Sequence, residues 1–355
     1  MKRIAIVGTR GVPAKYGGFE TFADEFLRFN NGKYNITVVC EASSDGLEEY
    51  YSSSLIYLKM RKSDNQLQYY WRSIIVSIKT NDVILITGPG AGLFLPFLRI
   101  FYYNKVFIVN PDGLEFQRSK WSFPVRALLW IMSWTSVIFS DKVVADSQGI
   151  SGYFLSRLPF LKHKITVIEY GSRLFEFVDS FNSNYYMLVA RFVPENNLEM
   201  IIKGFLLSNS RRILKIVSDT PNNAFMNRIK SLIGVNKNII LLGPEYDQNK
   251  LIKLRCNAFA HLHGHSVGGT NPSLLEAMSA GAPVIAHDNI FNREVLGGGG
   301  NFFTSENELA SVIWKLEGME KSEFNKFTEL NIKRINDHYN WERIFKSYLK
   351  IIDNE

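Results

Sequence analysis

Residues 264–284 read GHSVGGTNPSLLEAMSAGAPV, and three features of that run can do chemistry together. Asn271 is a strong helix-capping type, because its side-chain oxygen accepts from an orphan amide of the first turn. Pro272 follows at the first helical position, where a missing amide costs nothing. The amides of Ser273 and Leu274, the helix dipole and the side-chain-free Gly268 and Gly269 then offer a site for an anion such as phosphate. Glu276 lies five residues after the cap and can face the same crevice. Amides for a diphosphate and a carboxylate for a sugar hydroxyl together describe a holder for a nucleoside diphosphate. Many well-capped helices bind nothing. This one differs in its sequel: Ala280-Gly281-Ala282-Pro283 ends the helix and feeds a short buried strand over 284–286. A ligand loop that opens a helix between two parallel strands is the usual crevice of an open α/β sheet.

His261, His263 and His265 alternate along the strand that leads into this loop, which puts them on one face. Three imidazoles on a face are a possible metal arrangement, but no further ligand is indicated nearby. The preferred reading is that His263 or His265 lines the ligand pocket, with no metal.

A sheet must position these groups, and the rest of the chain supplies one twice over. Apolar strands are expected at Arg3–Val7, 36–40, 55–58, Val83–Thr87, 105–109, Lys142–Ala145 and 165–168, with helical patterns between most of them. A glycine-punctuated loop over 8–18 precedes an amphipathic helix over 19–29. A polar stretch over 171–184 reads as a linker, and the alternation restarts at 186–190, Ile213–Val217, 239–242, 258–262 and 284–286. Helices over 306–316 and 322–337 close the second half, and a last helical pattern covers 341–352. Strand and helix in alternation mean an α/β chain with parallel sheets covered on both faces. Two domains are expected, 1–170 and 171–340, with 341–355 as a terminal crossover segment.

Composition sets further bounds. A chain of 355 residues suits two domains that each bury a core. Cys40 and Cys256 are the only cysteines, both in apolar segments, which excludes a disulfide framework and suits a reducing compartment. Residues 1–8 form a strand with no signal peptide ahead of them, so a cytoplasmic protein is expected. Residues 1–170 carry 20 Lys and Arg against 14 Asp and Glu, a net of +6 within the total of +7. Beside that charge lie two apolar stretches, 91–103 and 127–139, too short to span a bilayer. They read either as peripheral contacts with an anionic membrane or as two buried helices. Nothing points to nucleic acid.

The N-terminal loop argues against a dinucleotide enzyme. Gly8-Thr9-Arg10-Gly11 lacks the G-x-G-x-x-G spacing, and Glu41 comes too late after an oversized loop. The run over 258–285 instead resembles the donor-site signature of family 4 glycosyltransferases, a group with the GT-B fold, in which two Rossmann-like domains face across a cleft. In that family two glutamates flank a glycine-rich loop; the second contacts the ribose and the first lies near the sugar. Glu276 matches the second, whereas the first falls on Gly268, so that carboxylate is lost. Gly8-Thr9-Arg10-Gly11-Val12-Pro13, Gly17-Gly18-Phe19-Glu20-Thr21 and Asn110-Pro111-Asp112-Gly113 resemble a bacterial rhamnosyltransferase branch. Those enzymes build capsule and other surface polysaccharides from dTDP-L-rhamnose.

The resemblance implies roles residue by residue. Gly17 and Gly18 lie over the donor phosphates, where Arg10 and Lys15 can meet a diphosphate or an acceptor phosphate. Asp112 stands where the family commonly has a histidine touching the donor sugar. Arg191 matches an arginine on the diphosphate, and Asn196 replaces its partner lysine. Pro244 and Tyr246 belong to a loop on the base, and Gly268, Gly269, Thr270 and Asn271 to the donor loop with His263. Glu115 and Arg118, with Arg10, are assigned to the acceptor. Asp112, Arg191 and Glu276 are the expected catalytic set, with no cofactor beyond the donor substrate. The implied reaction is transfer with retention onto a lipid-linked saccharide, by a protein at the inner face of the cell membrane. Use of a UDP- or GDP-sugar, a nucleotide-sugar epimerase of the same fold, and a non-catalytic binding protein are the alternatives.

Overall fold

The computed structural model describes residues 2–14, 17–43, 46–118, 120–219, 221 and 223–353, and these form two compact units. One unit comprises Met1–Tyr170 with Trp341–Glu355; the other is Gly171–Asn340.

The first unit opens with β1 (Arg3–Val7), α1 (Gly18–Asn30), β2 (Asn35–Cys40) and the short pair β3 (Glu49–Tyr50) and β4 (Ser53–Tyr57). It continues through α2 (Gln66–Ile78), β5 (Val83–Thr87), α3 (Leu95–Phe101), β6 (Val106–Asn110) and α4 (Phe123–Phe139). β7 (Lys142–Ala145), α5 (Gln148–Leu155) and β8 (Ile165–Val167) complete its sheet. The strand order is β3-β4-β2-β1-β5-β6-β7-β8, with every pair parallel except β3 on β4. β5 is buried along its whole length, which is why it reads as a continuous apolar run rather than an alternation.

The second unit contains β9 (Tyr185–Val189), α6 (Leu198–Leu207), β10 (Ile213–Val217), α7 (Ala224–Ile233) and β11 (Ile239–Gly243). Then come α8 (Gln248–Cys256), β12 (Ala260–His263), α9 (Pro272–Ser279), β13 (Val284–His287) and α10 (Ile290–Leu296). β14 (Gly300–Phe303), α11 (Glu306–Glu317) and α12 (Lys321–His338) close it. All its strands are parallel, in the order β11-β10-β9-β12-β13-β14. A core of Tyr186, Leu214, Ile216, Phe259, Leu262 and Phe303 lies between this sheet and α6, α11 and α12.

α13 (Trp341–Asp353) belongs to the first unit, where its apolar stripe packs on α1. Phe22 stacks on Tyr348 at 4.8 Å between ring centroids, and Phe26 meets Phe345 at 4.9 Å. Two strands escape the sequence pattern. β3 is only two residues long, and β14 opens from the glycine run Gly297–Gly300, a composition that argues for a loop.

The two apolar stretches are not simply buried helices. α3 and the residues after it leave Phe97, Ile100, Phe101 and Tyr103 exposed, Phe101 at 74%. α4 lies beside α3 and leaves Phe123, Leu128, Trp130 and Ile131 exposed while burying Met132, Trp134 and Val137. No helix among the described residues is long and apolar enough to cross a membrane.

Candidate functional site

In the second unit the chain leaves β9 towards β10 and returns to the other side of β9 at β12. The β9/β12 border is therefore the switch point of the sheet, where the loops after the two strands diverge and leave a crevice. Arg191 follows β9, and the glycine loop 264–271 follows β12. Side chains sew the two loops together. Asn196 Nδ2 donates to the Arg191 carbonyl at 2.8 Å, while its Oδ1 lies 2.8 Å from His265 Nδ1. Ser266 donates its amide and its hydroxyl to the Glu195 carbonyl at 2.9 and 3.0 Å. Asn196, at the lysine position of the family pattern, is thus a buried brace. Gly264 packs against the same brace: a Cβ there would come within 2.0 Å of the Asn196 carbonyl oxygen. Gly264→Ala is expected to cost about 1–3 kcal/mol through that overpacking, measured by urea denaturation.

The start of α9 has the cap foreseen for it but distributes its amides differently. Asn271 Oδ1 accepts from the Ser273 amide at 2.9 Å, and the Asn271 carbonyl accepts from Leu274 at 3.0 Å. The two amides expected to hold an anion are therefore already satisfied, because a good cap and a tight first turn use them. The amides of Gly268 and Gly269, one step earlier, donate to nothing among the described residues. Gly268 sits at φ 127°, a conformation that L side chains rarely adopt, and this shapes the loop ahead of the helix dipole. Ser273 Oγ donates to the Val189 carbonyl at 3.2 Å, which locks the helix start to the end of β9.

Glu276 has a partner that sequence reasoning missed. Arg255, near the end of α8, is 2% exposed and donates from Nη2 to Glu276 Oε2 at 2.5 Å. Its Nη1 reaches the Ser273 carbonyl at 3.4 Å. The side chain of Glu276 keeps 37% exposure, and its Oε1 makes no hydrogen bond among the described residues. A signal for Arg255 existed: it lies four residues after buried Leu251, on the inward face of its helix. Arg191 is the opposite case. It is exposed, and its guanidinium meets no carboxylate among the described residues. Pro244 and Tyr246 are exposed after β11, two strands from β9, and Tyr246 packs little at 72% exposure.

The histidines do not act as a set. His261 and His263 end β12 and are buried, while His265 lies beyond the strand. No group of three metal-binding side chains occurs among the described residues. His261 Nε2 lies 3.1 Å from the Arg255 carbonyl, which selects the Nε2–H tautomer. Burial pushes both buried imidazoles down to about 3, helped at His261 by Arg255 and at His263 by His265. His263 Nε2 has no hydrogen-bond partner among the described residues. A depressed histidine stays neutral in the native state while the unfolded chain takes a proton, so stability falls as pH drops below the unfolded value. Loss of about 1.4 kcal/mol per pH unit per histidine is expected between roughly pH 6.5 and 3. Chemical denaturation along a pH series would check it, with His261→Phe removing part of the slope.

The first unit has its own switch point at β1/β5. Gly17 caps α1 at φ 100°, and Glu20 in the first turn accepts from the Arg10 amide at 2.7 Å. Lys15 lies outside the described residues. Lys62, which sequence reasoning passed over, donates from Nζ to the Gly8 carbonyl and lies 5.3 Å from the Tyr70 ring centroid. Burial lowers its ammonium, opposed by Glu20 and Asp112. Asp112 follows β6 at φ 67°, with its amide on Asn110 Oδ1 at 2.9 Å. Burial raises its carboxyl and Glu115 adds to that, while Arg118 and Lys62 oppose. Glu115 and Arg118, assigned to an acceptor, are bound to each other at 2.9 Å, and Glu115 also takes Lys120 and the indole of Trp121. The structure thus gathers Arg10, Gly17, Glu20, Lys62 and Asp112 at one sheet edge, and Arg191, His263, Gly268 and Glu276 at another.

Comparison with known proteins adds the following. Residues 1–173 match a family model described as a domain of unknown function, DUF1972. Residues 176–336 match the model "Glycosyl transferases group 1". A probable sucrose-phosphate synthase from Thermosipho melanesiensis is 24% identical over 263 residues, covering 67% of this chain. The chain spans 59% of the length of that relative. Among solved structures, sucrose-phosphate synthase from Thermosynechococcus elongatus superposes with a TM-score of 0.84 at 15% identity, covering 100% of this chain and 99% of the other. Anabaena Alr3699/HepE in complex with UDP gives a TM-score of 0.78 at 14% identity, covering both chains fully at 100%. The fold is GT-B, built of two Rossmann-like units.

Proposed function

From the premise that a GT-B chain carries a group 1 glycosyltransferase domain, we propose that this protein transfers a sugar from a nucleotide-sugar donor to a saccharide acceptor. The carrying observation is the β9/β12 switch point. There the idle amides of Gly268 and Gly269, the dipole of α9, exposed Arg191 and the open oxygen of Glu276 meet the needs of a nucleoside diphosphate. Amides and guanidinium take the diphosphate, and Glu276 takes the pentose. Tyr246 and Pro244 offer a surface for the base.

Transfer proceeds with retention. The bond from the anomeric carbon to the diphosphate breaks, and Arg191 with the loop amides stabilises the charge left on the departing phosphate. The acceptor hydroxyl attacks on the same face and passes its proton to a phosphate oxygen, so no protein nucleophile is required and the missing carboxylate at Gly268 is tolerated. Asp112 is assigned to the donor sugar, and Arg10, Glu115 and Arg118 to the acceptor.

The donor proposed is dTDP-L-rhamnose, supported by the three N-terminal motifs. A UDP-sugar is the second reading, favoured by the UDP held in the Anabaena neighbour. Thermal stabilisation by dTDP-L-rhamnose, dTDP-glucose, UDP-glucose, UDP-N-acetylglucosamine and GDP-mannose decides between them, since a ligand that binds only the folded state must raise Tm. A shift confined to UDP-sugars would overturn the rhamnosyl reading. Conversion of donor without acceptor would favour an epimerase. Absence of any shift would refute the donor site itself.

The acceptor proposed is a saccharide on a lipid carrier at an anionic membrane. Support comes from the net charge of +6 over residues 1–170 and from the exposed apolar side chains of α3 and α4. Co-sedimentation with phosphatidylglycerol vesicles is expected, weakening with salt. Exchanging Phe97, Ile100 and Phe101 together for serine is expected to weaken it by at least about tenfold, since each buried side chain is worth about 1.5–3 kcal/mol. Unchanged binding would place the membrane contact elsewhere.

A further inference from the structure

We infer that Asn289 and Asn292, at the start of α10, are positioning residues for the nucleotide site, which they serve through His265 without touching the ligand. The inference rests on the proposal that Arg191 and the amides of Gly268 and Gly269 grip a diphosphate. The ladder of β12 on β13 runs only from the pair His261–Val284 to the pair His263–Ala286. Past its end two side chains take over. Asn292 Nδ2 donates to the carbonyls of His265 at 2.9 Å and His287 at 2.8 Å. Asn289 Nδ2 donates to the same two carbonyls at 3.0 and 3.1 Å. Carbonyls only accept, so both side-chain amides must present their nitrogens here. Asn289 also caps α10, but with its other atom: Oδ1 accepts from the amides of Phe291 and Asn292 at 3.1 and 3.0 Å. Capping therefore does not account for the nitrogen. Helix formation does not account for Asn292 either, because asparagine is a poor helix former and this one is 2% exposed.

His265 carries the constraint onward. Its ring Nδ1 lies 2.8 Å from Asn196 Oδ1, and Asn196 Nδ2 donates to the Arg191 carbonyl at 2.8 Å. With the Asn196 nitrogen spent on a carbonyl, its oxygen must accept, so His265 Nδ1 bears the proton. The chain of bonds thus runs from α10 to His265, on to Asn196, and from there to the backbone of Arg191. The next residue, Ser266, is fastened to the Glu195 carbonyl by its amide and its hydroxyl at 2.9 and 3.0 Å. His265 and Ser266 are therefore held from both sides, just ahead of the idle amides of Gly268 and Gly269. Glycines have no side chains to fix them, so the aim of those amides is set by where the loop is tied. Groups that must meet a ligand lose much of their worth when displaced by about 1 Å. Only a side-chain amide suits both positions: aspartate has the shape but would set an acceptor against two carbonyls.

Calorimetric titration of the full chain with UDP and UMP tests this, with dTDP and dTMP run in parallel. The preference for diphosphate over monophosphate reads the grip of Arg191 and the loop amides. Asn292→Ala is expected to lower that preference at least about tenfold, and Asn289→Ser, which keeps a capping hydroxyl, at least about fivefold. Thr328→Val is the control for lost stability. It removes a buried hydroxyl from the Gly281 carbonyl, past the other end of α9, and should keep the wild-type preference. Arg191→Met also lowers the preference, and adding Asn292→Ala to it should cost less than about threefold more, since both act on one grip. Merely structural asparagines would give additive losses instead, which would overturn the inference. So would a preference kept within about threefold of wild type in Asn289→Ser, the milder variant, which stands if Asn292→Ala does not fold. If the wild type binds no diphosphate, or shows no preference for it, the proposed site falls and takes the inference with it. That outcome is distinct from a wild type that prefers diphosphate beside variants that prefer it equally.

Discussion

Replacing Arg191 with methionine is expected to lower kcat about 10²–10³-fold while leaving Tm within a degree or so of wild type. The two halves of that expectation come from one observation. The guanidinium is exposed and meets no carboxylate among the described residues, so the folded state loses almost nothing when it goes. Most buried or paired arginines would be costly to remove. A side chain left idle by the fold, at the switch point and next to a glycine loop with idle amides, is instead free to meet charge that appears on a leaving diphosphate. Its fork can grip two phosphate oxygens, which lysine cannot do, so Arg191→Lys should recover only part of the loss. Steady-state kinetics at saturating donor, with a thermal melt of each variant, is the measurement. A kcat within tenfold of wild type for Arg191→Met would remove Arg191 from the leaving-group role.

Glu276→Ala is expected to do two things at once: abolish donor binding and cost about 3 kcal/mol of stability. The second effect follows from Arg255. Breaking a buried ion pair by removing one member typically costs about 3–5 kcal/mol, because the other charge stays buried and unpaired. The lower end applies here, since Glu276 retains 37% exposure and water screens part of the interaction. Loss of donor binding in this variant alone is therefore ambiguous. Glu276→Gln keeps the shape and a hydrogen-bond acceptor for Arg255, so it should fold better than the alanine variant and still bind donor weakly. Adding Arg255→Met to Glu276→Ala should restore stability without restoring binding, a coupling that a double-mutant cycle in urea reads directly. If Glu276→Ala is as stable as wild type, the pair carries no structural weight. If it binds donor as wild type does, the pentose role falls.

Much of this protein was legible in its residues. The alternation of apolar strands with helices gave the α/β class, because side-chain periodicity reports which faces are buried. Parallel strands such as β5 announce themselves as unbroken apolar runs. The cap at Asn271 and the first-turn proline were also local matters, and α9 starts there. β3 and β14 were missed for an equally local reason: two residues make no pattern, and Gly297–Gly300 has no strand propensity of its own. Pairing with β13 and burial of Phe303 in the core hold β14 in the sheet.

The candidate site divides along the same line. Residue types and short spacings marked Gly268, Gly269 and Glu276, since glycine and capping patterns span only a few positions, whereas Arg191 was marked by the family resemblance alone. What those residues are free to do depended on contacts between distant segments. Asn271 consumes the amides of Ser273 and Leu274 that its own motif offers, so the open donors move back to the glycine loop. Arg255, 21 positions from Glu276 in the chain, pins one oxygen of its carboxylate. Lys62 reaches Gly8 across 54 positions. A buried charge carries no periodic signature, because its position is set by the partner that compensates it. Local sequence determined which elements form and which chemistry they carry; tertiary packing decided which atoms of that chemistry remain unpaired and available to a ligand.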